Sequence, residues 1–253
     1  MEGRPRIPGY RLLEKIGEGG MGTVWKAEHE LTGRIVAAKV LSPRLAADEE
    51  YVRRFLREAR AAAALEHRNL TTVIHAGECE GVHYLLMEFI EGKTVHDIVT
   101  EEGPMHYETA LAVVRQAAEG LSHAHARGII HRDIKPENLM LSADAVVKIT
   151  DMGLAKRASG DPAESSITLA GTILGTPRYM SPEQIQLPET VDLRTDIWSL
   201  GVTLYFMLTG ATPFEGGSTA DVLHRVVKSP ISFPPRLPQV MVRLLRRMLS
   251  RDR

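Results

Sequence analysis

The chain has 253 residues, 43% hydrophobic and 25% charged, with 31 basic against 32 acidic residues and a net charge of −1. This is the balance of an ordinary globular protein and gives no reason to expect a nucleic-acid partner. One cysteine, Cys79, rules out an internal disulfide and a cysteine-built metal framework. The polar, proline-bearing start at residues 1–10 is no signal peptide. The longest apolar stretch, residues 197–208, is too short to cross a bilayer and reads as a buried helix.

Strand-like alternation begins near Arg11, breaks at Gly17–Gly22 and resumes over Thr23–Ala27. Leu31–Arg34 reads as a turn and Ile35–Leu41 as a third strand. Residues 49–66, rich in Ala, Leu, Arg and Glu, predict a helix. Asn69–Ala76 and Val82–Phe89 predict two more strands. From Tyr107 the spacing of Ala110, Val114, Ala117, Leu121 and Ala124 becomes helical, with Gly128 placed to end the helix. Short apolar segments follow at Ile129–Ile130, Leu139–Leu141 and Val146–Ile149. Residues 152–182 hold few periodic apolar residues and many Ser, Thr, Gly and Pro, and a loop that long in a compact domain is usually functional or disordered. Helical patterns return at Thr195–Thr209, Thr219–Lys228 and Gln239–Ser250. The expectation is an α+β protein: a first part of antiparallel sheet with one helix, and a second part that is mostly helical. A boundary near Phe89–Gly92 would create an inter-lobe cleft, a favoured ligand site.

Four segments carry chemistry. Gly17-Glu18-Gly19-Gly20-Met21-Gly22 is a G-x-G-x-x-G run. Glycines let a backbone approach phosphates without a Cβ in the way. A dinucleotide-binding loop would need a helix next, but a strand follows, so the glycines sit at a hairpin tip. A plain glycine hairpin without a ligand remains open at this point. Lys39 lies in the apolar run Val36–Leu41 and, if buried, needs an anionic partner. Glu58 on the following helix is the candidate; an exposed charge pairing with a nearby arginine is its alternative. His131-Arg132-Asp133-Ile134-Lys135-Pro136-Glu137-Asn138 crowds an acid, two bases and an amide into one loop whose apolar flanks should tether it to a core; a polar surface turn is the alternative. Asp151-Met152-Gly153 follows a short strand, where a carboxylate suits a Mg²⁺ ion or simply begins a turn.

In order, a glycine-rich loop, a strand lysine, a helix glutamate, His131-Arg132-Asp133 with Lys135 and Asn138, Asp151-Met152-Gly153 and Ser181-Pro182-Glu183 resemble the signature set of protein kinases. The likeness runs from about Tyr10 to Arg253. Gly19-Gly20-Met21-Gly22 and Gly175–Gln184 resemble bacterial kinases of the eukaryotic-like (Hanks) type. The resemblance implies a bilobal catalytic domain over residues 10–253, with an N-lobe at about 10–88, a hinge at about 88–92 and a C-lobe at about 93–253. It further implies ATP as phosphoryl donor, Mg²⁺ with Mn²⁺ as a substitute, and Ser/Thr hydroxyls of proteins, its own included, as acceptors.

The same resemblance assigns roles. Residues 17–22 would cover the phosphates; Lys39 would hold the α- and β-phosphates and pair with Glu58. Asp133 would accept the substrate hydroxyl proton, Lys135 would neutralise charge on the transferred group, and Asn138 and Asp151 would bind the metal. Val24, Ala37 and Met140 would sandwich the adenine. Met87 would be the gatekeeper, with the backbone of Glu88, Phe89 and Ile90 along the adenine edge. Lys135, two residues after Asp133, and Thr176 favour Ser/Thr over Tyr specificity. Arg132 would meet a loop phosphorylated at Ser165, Ser166, Thr168 or Thr172. A pseudokinase scaffold and a small-molecule kinase are the competing readings.

The chain departs from the family pattern in places. Met152 stands where Phe is usual, and Ala38 where a larger aliphatic is usual. The arginine expected to pair with Glu183 would lie beyond Asp252, so the end at Arg253 is read as a cut. The remaining expectation is a cytoplasmic catalytic domain; many bacterial relatives cross a membrane after a linker, and a homodimer through the first lobe is known in the family, but no residue here decides either point. His123 and His125 form no recognisable zinc set, and His131 is expected to pack in the core.

Overall fold

The computed structural model describes residues 4–152 and 177–252. The chain divides into two units, Met1–Glu91 and Gly92–Arg253.

The first unit is built on five antiparallel strands: β1 (Tyr10–Gly19), β2 (Gly22–His29), β3 (Ile35–Leu41), β4 (Val73–Cys79) and β5 (Val82–Glu88). Their order in the sheet is β1-β2-β3-β5-β4. One face carries a core of Ile7, Leu12, Ala27, Val36, Ala38, Val40, Tyr84 and Leu86. Two helices join β3 to β4. The short α1 (Pro43–Ala46) has no counterpart in the sequence reading. Helix α2 (Glu49–Ala63) begins at Asp48, whose carboxylate accepts from the Glu50 and Tyr51 amides, an N-cap that satisfies two orphan donors. It buries Phe55, Glu58, Ala59 and Ala62, a stripe of helical period.

Several boundaries differ from the sequence reading, three of them for a clear reason. The β1–β2 ladder continues through the glycines to Gly19 and Gly22, because backbone pairing needs no side chain. Helix α2 stops at Ala63, and the next turn breaks to bury Leu65. Strand β4 starts at Val73 rather than Asn69, because Asn69, Leu70 and Thr71 are buried in succession, which an alternating strand does not allow.

The second unit opens with β6 (Gly92–Thr94) and α3 (Val95–Glu102), both too short for periodicity to reveal. Helix α4 (Tyr107–His125) follows, with Ala110, Val114, Ala117, Leu121 and Ala124 all buried. Gly128, in the left-handed region at φ 71°, sits three residues beyond the helix. Strands β7 (Leu139–Ser142) and β8 (Val147–Ile149) complete a three-stranded sheet with β6. After the 3-10 turn Pro177–Tyr179 come α5 (Pro182–Gln186), α6 (Arg194–Thr209), α7 (Thr219–Lys228) and α8 (Gln239–Met248). Helix α6 is buried nearly throughout, as its apolar run requires, and packs against α4 and α8. No helix among the described residues is long and apolar enough to cross a membrane.

Candidate active site

In the first unit, strand register gathers the expected nucleotide-binding residues on one face. Directly paired residues of an antiparallel ladder share a face, as do residues two apart along a strand. Gly17 pairs with Val24, Val24 with Lys39, and Lys39 with Leu85. Ala37, two residues from Lys39, pairs with Met87. Val24, Ala37, Lys39 and Met87 therefore lie together on the face opposite the Ala38–Leu86 core. Small Ala38 is opposite Trp25 and Leu86 in register and fully buried, so the indole takes the volume that a larger aliphatic would need.

The glycine turn is held at its base. Met21 O accepts the Ser42 amide at 2.9 Å. Gly22 has φ 145°, and a Cβ there would stand 1.9 Å from Val40 O, so no other residue fits. At Gly19 and Gly20 a Cβ would meet nothing within 4 Å. The absence of side chains at these two positions is not required by the protein's own packing, and it leaves open space beside the backbone amides. This suits a phosphate chain. At the end of β5, Glu88 folds its carboxylate back onto the Thr72 amide at 2.7 Å. Strand pairing ends there, so Phe89 and Ile90 carry backbone groups outside the ladder. Lys26 stands over the Phe89 ring at 5.1 Å. Lys39 and Glu58 are both buried, at 9% and 8% exposure.

In the second unit, the loop 131–138 is held from below by a residue the sequence reading did not single out. Asp196, in the first turn of α6, is fully buried. Its Oδ2 accepts the His131 amide at 2.8 Å and His125 Nε2 at 2.7 Å, and its Oδ1 accepts the Arg132 amide at 2.7 Å. A carboxylate taken wholly out of water is tolerated only with such donors. His125 is thus occupied by this carboxylate. His131 is fully buried, as expected. Its Nε2 donates to Thr150 O at 2.9 Å, and its Nδ1 accepts the Asp133 amide at 3.2 Å. Those two bonds fix the neutral tautomer with the proton on Nε2.

Arg132, at φ 64°, holds a left-handed backbone rare for a non-glycine residue, and Gln184 Nε2 donates to its carbonyl at 2.9 Å. The result is a loop with Asp133 and Lys135 turned the same way, Lys135 Nζ 3.4 Å from Asp133 Oδ2. Asn138 Nδ2 donates to Asp133 O at 2.8 Å, which leaves its Oδ1 as the acceptor end of the amide. The Thr150 amide bonds Asn138 O at 2.9 Å, tying the strand that leads to Asp151 onto the same loop. Asp151 itself is left-handed, at φ 57°.

An amide oxygen and a carboxylate are hard donors that suit Mg²⁺ when waters and phosphate oxygens complete the octahedron. Among the described residues no group of three His, Cys, Asp or Glu side chains is placed to hold a metal by itself. Met140 pairs with Thr94 and Lys148 in the small sheet. Met152 is buried at 6% exposure, so its apolar side chain packs despite the departure from Phe.

The segment after residue 176 is pinned to α6 by buried hydrogen bonds. Ser199 Oγ donates to Tyr179 O at 2.8 Å, and the Ser181 and Thr195 hydroxyls meet at 2.7 Å. Ser181 and Gln184 form a reciprocal capping box on α5. Ser165, Ser166, Thr168, Thr172 and Thr176, with Gly153, lie outside the described residues.

Comparison with known proteins agrees with this geometry. The family model described as "Protein kinase domain" matches residues 10–253. A probable serine/threonine-protein kinase of Clostridium perfringens is 39% identical over 248 residues, which cover 96% of this chain and 35% of that protein. Serine/threonine-protein kinase PrkC of Bacillus subtilis is 36% identical over 252 residues, 98% of this chain and 38% of its own length. PknB of Mycobacterium tuberculosis is 43% identical over 223 residues, 87% of this chain and 35% of its own length. The chain thus spans little more than a third of each of these three relatives. With its antiparallel sheet unit, its mostly helical unit and a family match across nearly its whole length, the chain belongs to the protein kinase domain family.

Proposed function

We propose that this chain is the catalytic domain of a serine/threonine protein kinase that transfers the γ-phosphoryl group of MgATP to protein hydroxyls, its own included. The carrying observation is the loop 131–138, in which Asp133, Lys135 and Asn138 are fixed together through buried Asp196. Phosphoryl transfer asks little covalent help of a protein; it asks for alignment and for positive charge around a dispersed negative transition state.

Asp133 accepts the proton of the attacking Ser or Thr hydroxyl and orients that oxygen. Lys135 offsets charge on the transferred group. Asn138 Oδ1 and Asp151 would hold Mg²⁺, or Mn²⁺ as an alternative, and the cation would supply positive charge beside the phosphates when bound. Lys39 holds the α- and β-phosphates and is steadied by Glu58, while the amides of residues 17–22 cover the phosphate chain. Val24, Ala37 and Met140 take the adenine, Met87 is the gatekeeper, and the backbone of Glu88 to Ile90 lines the adenine edge. In this reading residues 10–88 are the N-lobe, 88–92 the hinge and 93–253 the C-lobe. Arg132 meets the loop once Ser165, Ser166, Thr168 or Thr172 is phosphorylated. The family resemblance is the support for a cytoplasmic location and for homodimerisation, which sedimentation of the purified chain tests.

The test of activity is intact mass after MgATP treatment beside an Asp133→Asn control. Phosphate added only to the unmutated chain is the expected result. No phosphate on a folded, ATP-binding chain would replace the proposal with a nucleotide-binding scaffold.

A further inference from the structure

The solvent face of α8 carries charge that the catalytic reading does not use. From Ser229 to Ser250 the chain holds four arginines, Arg236, Arg243, Arg246 and Arg247, and no acidic residue, within a protein of net charge −1. Met241, Val242, Leu245 and Leu249 face inward, so Arg243, Arg246 and Arg247 form one exposed stripe at positions i, i+3 and i+4. Among the described residues none of these three has an acidic partner within 4 Å; Arg246 alone has a neighbour of note, the Phe233 ring at 5.7 Å. Two nearby arginines are already engaged. Arg225 pairs with Asp221, and Arg251 donates to Val226 O and Ser229 O while lying over Trp198 and Phe214.

A favourable helix dipole accounts for Arg246 and Arg247 in the last turn but not for Arg243, which sits a turn earlier and repels both. Pro230, Pro234, Pro235 and Pro238 stiffen the segment that leads into the helix, so the stripe is presented on a rigid edge.

We infer that this stripe docks a phosphorylated Ser/Thr segment of a protein partner, the kind of product the proposed activity makes; the inference rests on that reading. Three guanidinium groups within about 6 Å of helix rise match one or two phosphoryl groups. All the cations are arginine, whose planar fork bonds phosphate oxygens in pairs. A nucleic acid would want a longer track with aromatic platforms, and the stripe holds none. A membrane surface would want apolar residues to insert, and Val240, at 54% exposure, is the only one on this face.

The test is fluorescence anisotropy of a labelled peptide bearing two phosphothreonines, its unphosphorylated twin, a single-stranded oligonucleotide of equal charge, and phosphatidylserine vesicles. The protein is the 253-residue chain with Asp133→Asn, so that no label is modified. The expected result is at least a tenfold preference for the phosphopeptide over its twin, lost in Arg243→Glu/Arg247→Glu and kept in Arg225→Glu. Arg243→Gln/Arg247→Gln serves if the charge reversal unfolds α8, and circular dichroism reports which case holds. Equal affinity for the two peptides, binding that survives both double variants, or tighter capture of the oligonucleotide or vesicles would overturn the inference. Because the assay needs no catalysis, failed phosphate transfer with intact phosphopeptide binding would count against the proposed activity alone.

Discussion

Single residues carry constraints that can be weighed one at a time. Gly22 combines a left-handed φ with a backbone carbonyl 1.9 Å from where a Cβ would stand. Gly22→Ala is expected to destabilise the first unit by at least about 2 kcal/mol, read as a fall in denaturation midpoint. Ala38, wedged between Trp25 and Leu86, predicts that Ala38→Val costs about 1–3 kcal/mol by overpacking, the reverse of what β-propensity alone would give. Tyr51 makes the opposite case. Its hydroxyl is buried with no hydrogen-bond partner among the described residues, and burial, then the nearby Glu58 charge, raises its pKa. Tyr51→Phe removes an unsatisfied group while keeping the ring, and is expected to stabilise by about 1 kcal/mol, seen as a higher melting temperature.

At the scale of elements, α6 is the support on which the loop 131–138 rests. Its first turn supplies Asp196 and Thr195, and Ser199 one turn later receives the segment at Tyr179. Asp196→Ala would leave two backbone amides and His125 without their acceptor. We expect a loss of about 3–5 kcal/mol and a collapse of phosphate transfer with it, even though Asp196 takes no part in the chemistry assigned here. Thermal melts beside single-turnover rates check this; activity lost with full stability kept would contradict the supporting role. Helix α2 depends on a lighter fixture. Asp48→Ala removes the cap from the Glu50 and Tyr51 amides and is expected to cost about 1 kcal/mol.

The whole molecule has a predictable response to alkali. Burial is the leading cause of raised pKa values at Tyr51, Tyr84, Tyr179 and Tyr205; at Tyr179 the Glu137 carboxylate adds to it and Arg178 opposes it. The folded chain keeps these phenols neutral past the ordinary tyrosine value of about 10, so the unfolded chain gives up its protons first. Their stabilising contribution is complete below about pH 10 and falls away as pH rises through the folded values. Tyr179 alone removes about 1.4 kcal/mol per pH unit in that range. Tyrosinate absorbance should therefore lag in the native titration and then rise together with loss of circular dichroism. Independent ionisation of each tyrosine at an ordinary value, with the fold intact, would refute this.

The sequence by itself determined the α+β character, most helices and strands, and which residues are candidates for the chemistry, because periodicity and dense local motifs such as residues 131–138 are properties of neighbouring positions. It left the short β6 and α3 invisible, since three to eight residues hold too little period to read. Only the tertiary structure decided what holds the motifs in place. Asp196 sits 65 residues from His131 and reads as an ordinary acid in a helix's first turn; its one signal was a charge at the head of the longest apolar run, and a buried charge must find donors. Gln184, which reaches back 52 residues to Arg132, gave no such sign. The shared face of Val24, Ala37, Lys39 and Met87 likewise depends on strand register, which non-local pairing sets and local pattern does not.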